Sequence, residues 1–253
     1  MQVLPCYAVL HYVGHAFSGW QRQRTHRTVQ GEFEHVLERL VGRRVATDAA
    51  GRTDAGVHAL GQVVSFRVPA RWEPADLRRA LNALLPAEIW VDRVGRAPEG
   101  FHARKHATAR RYRYVVGCDA AARSPFRRPF EWALVQPLDG VLLAAEAAAL
   151  LAEHDFRAFA AVGPAKPHYR CRVVESRWDA RPNGEGFIFT VEADRFLHHM
   201  VRFLVGTMVD VGRGRRPPGA VPRLLGSSSN ADTSPPAPPE GLYFVGARYP
   251  HPL

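Results

Sequence analysis

The order of elements constrains this chain most, because a β-α-β-β-α-β pattern can be read along it twice. In the first cycle, residues 6–13 form an apolar run that stops at Gly14. Thr28 is placed to cap a helix whose Val29, Phe33, Val36, Leu37 and Leu40 share one face and which Gly42 closes. A short strand is expected around 45–50, and a second over 62–68, ending at Pro69. A helix opens at Pro74 and stops before Pro86, and a strand covers 89–94. A basic connector, 96–110, leads to the second cycle. There the expected elements are a strand over 111–117, a helix over 138–153, and strands over 172–179 and 187–193 joined by a Pro-Asn-Gly turn. A helix over 196–211, a short one over 221–225 and a last strand over 242–248 follow. The expected fold class is α+β, with two ferredoxin-like halves, 1–106 and 107–253, joined into an extended antiparallel sheet with a central cleft. Residues 226–240 are rich in Ser and Pro, which excludes a helix or a central strand and predicts a loop, one free to move.

The charge narrows the class of partner. The formal net charge is +10, with +6 from residues 1–110 and +4 from 111–253, so the basic character is not a tail. A polyanion, nucleic acid before membrane, fits such a surface. Nearly all the cations are arginine, lysine occurring only at Lys105 and Lys166, and arginine suits phosphate forks and base stacking. Cys6, Cys118 and Cys171 are far apart and form no CxxC pair, which supports neither a disulfide framework nor a cysteine metal site and fits a cytoplasmic protein. The start lacks a basic segment before its apolar run, so no signal peptide is expected. The longest apolar stretch, 141–152, is too short to span a bilayer, and no membrane association is expected.

The candidate for chemistry is the polar run Gly51-Arg52-Thr53-Asp54-Ala55-Gly56-Val57-His58-Ala59. A carboxylate on a glycine-flanked turn at a strand end is well placed to act on a ligand. Spacing alone favours the plainer reading, an Asx-turn at Asp54 and a solvated Arg52, since turn aspartates are common. Three further stretches stand out. Ala107-Thr108-Ala109-Arg110-Arg111-Tyr112-Arg113-Tyr114 interleaves aromatics with arginines, which suits base stacking as well as a half-buried strand. Phe196 to Gly206 reads as a buried helix that brings Arg202 close to an apolar face. On such a helix the adjacent His198 and His199 point about 100° apart and do not chelate one metal. Glu240-Gly241-Leu242-Tyr243 reads as a strand start.

These stretches, with Gly19-Trp20-Gln21-Arg22-Gln23 and Phe101-His102-Ala103-Arg104, resemble the motifs of the tRNA pseudouridine synthase A family, in family order and over essentially the whole chain. The resemblance implies isomerisation of uridine to pseudouridine at positions 38, 39 and 40 of the tRNA anticodon stem-loop, without cofactor or metal, by a cytoplasmic homodimer. It further implies that Asp54 is the catalytic carboxylate, that Arg202 pairs with it, that Tyr112 stacks on the target uracil, that Leu242 forms an apolar wall and that Arg52 helps hold the RNA. Two features depart from the family pattern, Phe203 after the arginine of His-His-Met-Val-Arg and the 226–240 loop. Without the resemblance, a non-catalytic RNA-binding protein or a hydrolase with an aspartate nucleophile remains open.

Overall fold

The computed structural model describes residues 2–163, 168–227, 229–251 and 253, and the chain divides into two compact units. Unit 1 runs to Arg110 and takes in the chain from Tyr243 onward, while unit 2 is Arg111–Leu242. Both are mixed α+β with mostly antiparallel sheets.

Unit 1 contains β1 (Val3–Tyr12), α1 (Val29–Val41), β2 (Asp48–Ala49), β3 (His58–Pro69), α2 (Pro74–Leu84) and β4 (Ile89–Arg96). β1 lies between β4 and β3, antiparallel to both, and β2 adds antiparallel to β3, which is the strand order of a ferredoxin-like sheet. The chain's last strand, Leu242–Arg248, joins the same edge of β3 further along, parallel, at His58 and Ala59. Even-numbered positions of β1 and β3 share the core face, where Cys6 faces Phe66 and Ala8 faces Val64. Phe33 of α1 packs edge-on against Phe66, with ring centroids 5.7 Å apart. The helix begins where sequence predicts, the Thr28 hydroxyl accepting from Gly31 N–H, and ends at Gly42 in the left-handed region (φ 79°). The expected strand at 45–50 shrinks to two residues.

Unit 2 contains β5 (Ala109–Gly117, entering from unit 1), β6 (Trp132–Ala133), α3 (Gly140–Ala148), β7 (Ala152–Asp155), β8 (Arg170–Ala180), β9 (Gly186–Ala193), α4 (Met200–Gly212) and α5 (Ala220–Leu224), after which the last strand is β10. Its sheet runs β5-β9-β8-β7. Leu143 and Ala147 of α3, and Leu204, Val205 and Met208 of α4, are buried.

Two helices differ from expectation. The 138–153 segment is helical only over α3, capped by the Asp139 carboxylate on Val141 and Leu142 N–H. Leu151 then closes a turn, Ala152 adopts φ 100°, and β7 pairs antiparallel with β8. Alanine and leucine favour helix, but the edge of β8 claims the backbone of 152–155. The 196–211 segment becomes helical only at Met200, because His199 sits in the left-handed region (φ 60°). Phe196 is therefore not on the helical face assigned to it.

The Ser/Pro-rich loop, whose Ser228 lies outside the described residues, has no regular structure before the 3-10 turn Pro239–Gly241. Its second half is nonetheless held. Ser234 N–H donates to the buried Thr207 hydroxyl (3.3 Å), Ala237 N–H donates to Arg202 O (2.9 Å), and the Tyr114 hydroxyl donates to Pro238 O (2.7 Å). Gly206 makes room for this crossing, since a Cβ there would meet Pro235 O at 2.2 Å. Gly206→Ala therefore has to push the loop off α4, at about 1–3 kcal/mol. Urea denaturation is expected to show a lower midpoint with an unchanged slope.

Candidate active site

The 51–58 run is a turn between β2 and β3, and backbone groups on both flanks of Asp54 are tied to the rest of unit 1. On its first flank the Gln62 amide donates to Gly51 O (2.6 Å) and accepts from Gly51 N–H (3.4 Å). Thr53 is held twice: its side-chain oxygen lies 2.8 Å from the Tyr12 hydroxyl, and its carbonyl accepts from Trp20 N–H (3.0 Å). Asp54 O accepts from Val57 N–H (3.2 Å), and Gly56 N–H donates to Phe17 O (3.4 Å) with φ 81° at Gly56. On the second flank Gly14 N–H donates to His58 Nδ1 (3.0 Å), which leaves the proton of the neutral ring on Nε2. The His58 ring stacks on Tyr243 at 4.8 Å.

Two glycines outside the motif allow this close packing. A Cβ on Gly14 would meet Val57 O at 2.1 Å, and one on Gly19 (φ 85°) would meet Thr53 O at 2.8 Å. The result is a turn whose backbone is held on both flanks, with the Asp54 side chain half-buried. Arg52, on the same turn, is exposed.

The Trp20–Gln23 motif is structural in part. Gln21 donates to Gln30 of α1 (2.8 Å), Gln30 donates to Glu34 (2.9 Å), and Arg22 pairs with Glu34 at 2.9 Å. Glu34 also accepts from the Thr47 N–H and hydroxyl, just before β2. In Phe101–Arg104, buried Ala103 donates from its N–H to the Ser65 hydroxyl and accepts from the Tyr249 hydroxyl (2.8 Å). Arg110 donates to three carbonyls, of Ala50, Arg104 and Ala107, and so ties the connector to the approach of the turn.

In unit 2, Tyr112 lies on β5 and is 8% exposed. Phe196 meets it edge-on, 4.9 Å between centroids, and fixes the plane of its ring. Tyr114, on the same face, is fully buried, so the tyrosines do occupy the core side of the strand. Arg202 is on the first turn of α4, half-buried, and its Nε donates to Ala237 O (2.7 Å). With the return bond from Ala237 N–H, the loop and Arg202 clasp each other. Leu242 follows the 3-10 turn and is buried. The reading of His198 and His199 as helical neighbours pointing apart is corrected: both precede the helix, and their rings lie 4.0 Å apart at 40°.

Sequence reasoning missed Tyr12 and Gln62, both buried in unit 1. A signal existed. Gln62 has the same strand parity as Val64 and Phe66, so a polar amide falls on a core face, and a buried amide has to be satisfied.

Against known proteins, the model of the family described as "tRNA pseudouridine synthase" matches residues 8–104 and 147–250. A protein of Moorella thermoacetica named tRNA pseudouridine synthase A is 42% identical over 250 residues, 97% of this chain and 100% of that protein. Proteins of the same name are 41% identical in Myxococcus xanthus (95% of this chain, 90% of that protein) and 40% identical in Chlorobaculum tepidum (95% and 96%).

Burial pushes the Tyr12 phenol up to about 12, against the smaller lowering effect of its bonds to Thr53 and Gln62. Below about pH 10 the phenol is protonated both folded and unfolded, and its contribution to stability is complete. Between about 10 and 12 only the unfolded chain loses the proton, so stability falls as pH rises. Tyr12→Phe removes that dependence. Alkaline unfolding is expected to be shallower in the variant by one proton, about 1.4 kcal/mol per pH unit.

Proposed function

The chain belongs to the tRNA pseudouridine synthase family, and on that premise we propose that it isomerises uridine to pseudouridine at positions 38, 39 and 40 of the tRNA anticodon stem-loop. The observation that carries the reading from family to chemistry is the Asp54 turn, tied through its backbone on both flanks, with a half-buried carboxylate at its centre.

The reaction breaks the C1′–N1 bond, turns the uracil, joins C1′ to C5 and releases the C5 proton while N1 gains one. Atoms balance without a redox partner or group carrier, so the proposal calls for no cofactor. A carboxylate serves the first step by attacking C1′, by adding to C6 or by removing a ribose proton. Asp54 is assigned this role. Arg202 is assigned that of the cation which keeps a carboxylate ionised where water is excluded, since burial raises a carboxyl pKa and a guanidinium lowers it. Its clasp with Ala237 supports a fixed orientation for that cation.

Tyr112 is assigned to stack on the turned-out uracil, which offsets the few kcal/mol of leaving the stem. The edge-on Phe196 supports a ring held in one plane. Leu242 is assigned to an apolar wall and the exposed Arg52 to the RNA backbone. Neighbouring target positions call for recognition by RNA shape more than by base sequence. The net charge of +10 supports binding that weakens steeply with salt. We further propose a cytoplasmic homodimer, which sedimentation at micromolar concentration tests. Among the described residues no helix is long and apolar enough to cross a membrane.

Asp54→Asn is expected to lower tritium release from tRNA labelled at uracil C5 by ~10³-fold or more, with tRNA affinity kept within about threefold. Retained turnover would reject the assignment. Free uracil among the wild-type products, seen by chromatography, would instead mark a hydrolase.

A further inference from the structure

We propose that Tyr12, Thr53 and Gln62 are positioning residues that set where the Asp54 carboxylate points, an inference that rests on the reading of Asp54 as the catalytic group. All three are buried, at 3%, 6% and 0% exposure. They join elements far apart in sequence: the end of β1, the turn and the core face of β3.

The geometry gives the network a direction. The Gln62 amide nitrogen donates to Gly51 O (2.6 Å) and to the Tyr12 oxygen (3.4 Å), while its carbonyl oxygen accepts from Gly51 N–H. The Tyr12 oxygen accepts from Gln62 and lies 2.8 Å from the Thr53 hydroxyl, a contact that either the Thr53 proton or its own can fill. A buried phenol at about 12 keeps that proton throughout the neutral range. Thr53 immediately precedes Asp54, and its carbonyl accepts from Trp20 N–H (3.0 Å). One tether on the side chain of residue 53 and one on its carbonyl restrain the peptide plane from which the Asp54 Cα–Cβ bond departs.

A change of register makes the reach possible. β1 pairs Leu10 with Gln62 but Tyr12 with Ala59, so one residue is gained between them. Such an irregularity twists a strand locally and re-aims a side chain. The Tyr12 ring packs in the core near Trp20, but the Gln62 amide and the Tyr12 hydroxyl add no apolar packing. Their work is to hold the 51–53 backbone, and a displacement of about 1 Å at a reacting group is enough to cost ~100-fold in rate.

The test is a double-mutant cycle on tritium release from tRNA labelled at uracil C5, with Asp54→Asn measured alongside. Tyr12→Phe and Thr53→Val each remove one side of the 2.8 Å contact at nearly constant volume. Each is expected to lower kcat by about 10- to 100-fold with KM for tRNA within about twofold. The double variant is expected to lose no more than the worse single one, because both break the same bond. Thr53→Ser, which restores the hydroxyl, is expected to recover kcat to within about threefold of wild type.

Circular dichroism and thermal melting fix the folded fraction, and kcat is expressed per folded molecule. The inference is overturned if the singles keep wild-type kcat, if the double variant is multiplicatively worse, if Thr53→Ser is no better than Thr53→Val, or if KM rises instead. If Asp54→Asn retains turnover, the reading of Asp54 itself fails. If Asp54→Asn is inactive while Tyr12→Phe and Thr53→Val are normal, only the positioning role fails.

Discussion

A short polar network beneath an otherwise apolar sheet face is what the Asp54 turn depends on. The backbone is held on either side of that residue. Gln62 and Tyr12 anchor residues 51 and 53 from within the core, and Gly14 and His58 anchor the other flank. The two glycines on the opposing segment, Gly14 and Gly19, let that segment approach to a distance no side chain would permit. The constraint is steric and directional, and little of it comes from burial of apolar area.

Unit 2 solves a similar problem by a different route. Arg202 lies in the first turn of α4, whose later residues are mostly apolar and buried, and its backbone and side chain are both bonded to Ala237 in the crossing loop. A composition that gives no helix and no strand is used here as a strap, lying against Gly206, Thr207 and Tyr114. Loss of regular structure and loss of order are different things. A proline-rich segment cannot supply a ladder of hydrogen bonds, yet each carbonyl it offers can still be claimed by a fixed donor.

Much of this was legible in the sequence. Thr28, Gly42, Pro74 and Pro86 mark helix ends by local stereochemistry, and α1 and α2 lie where those signals put them. The Pro-Asn-Gly turn between β8 and β9 was readable for the same reason. Readings that needed tertiary context fared worse. The alanine- and leucine-rich 138–153 segment carries helix propensity to its end, but Ala152 and the edge of β8 turn 152–155 into a strand. His199 breaks a convincing helical periodicity with a left-handed backbone that no local pattern announces. At the site, the 51–59 motif marked the turn, whereas Tyr12 and Gln62, 50 positions apart, are joined only by the fold. Parity along a strand could have flagged Gln62, but nothing in the sequence names its partner.

The interleaving of the two units also bears on how the molecule is made. Unit 1 is discontinuous: its second segment, which holds nearly all of β10, begins at Tyr243, after all of unit 2 has been encoded. At ~5–20 residues per second, a ribosome that has finished the first 110 residues works for several seconds to tens of seconds before that strand exists. Through that interval the edge of β3 at His58 and Ala59, beside the Asp54 turn, has no β10 to cover it, and His58 has no Tyr243 to stack on. The nascent chain therefore carries an open strand edge of the kind that invites mispairing, and it is closed only by the final strand, so the surroundings of the Asp54 turn are among the last parts of the protein to be completed.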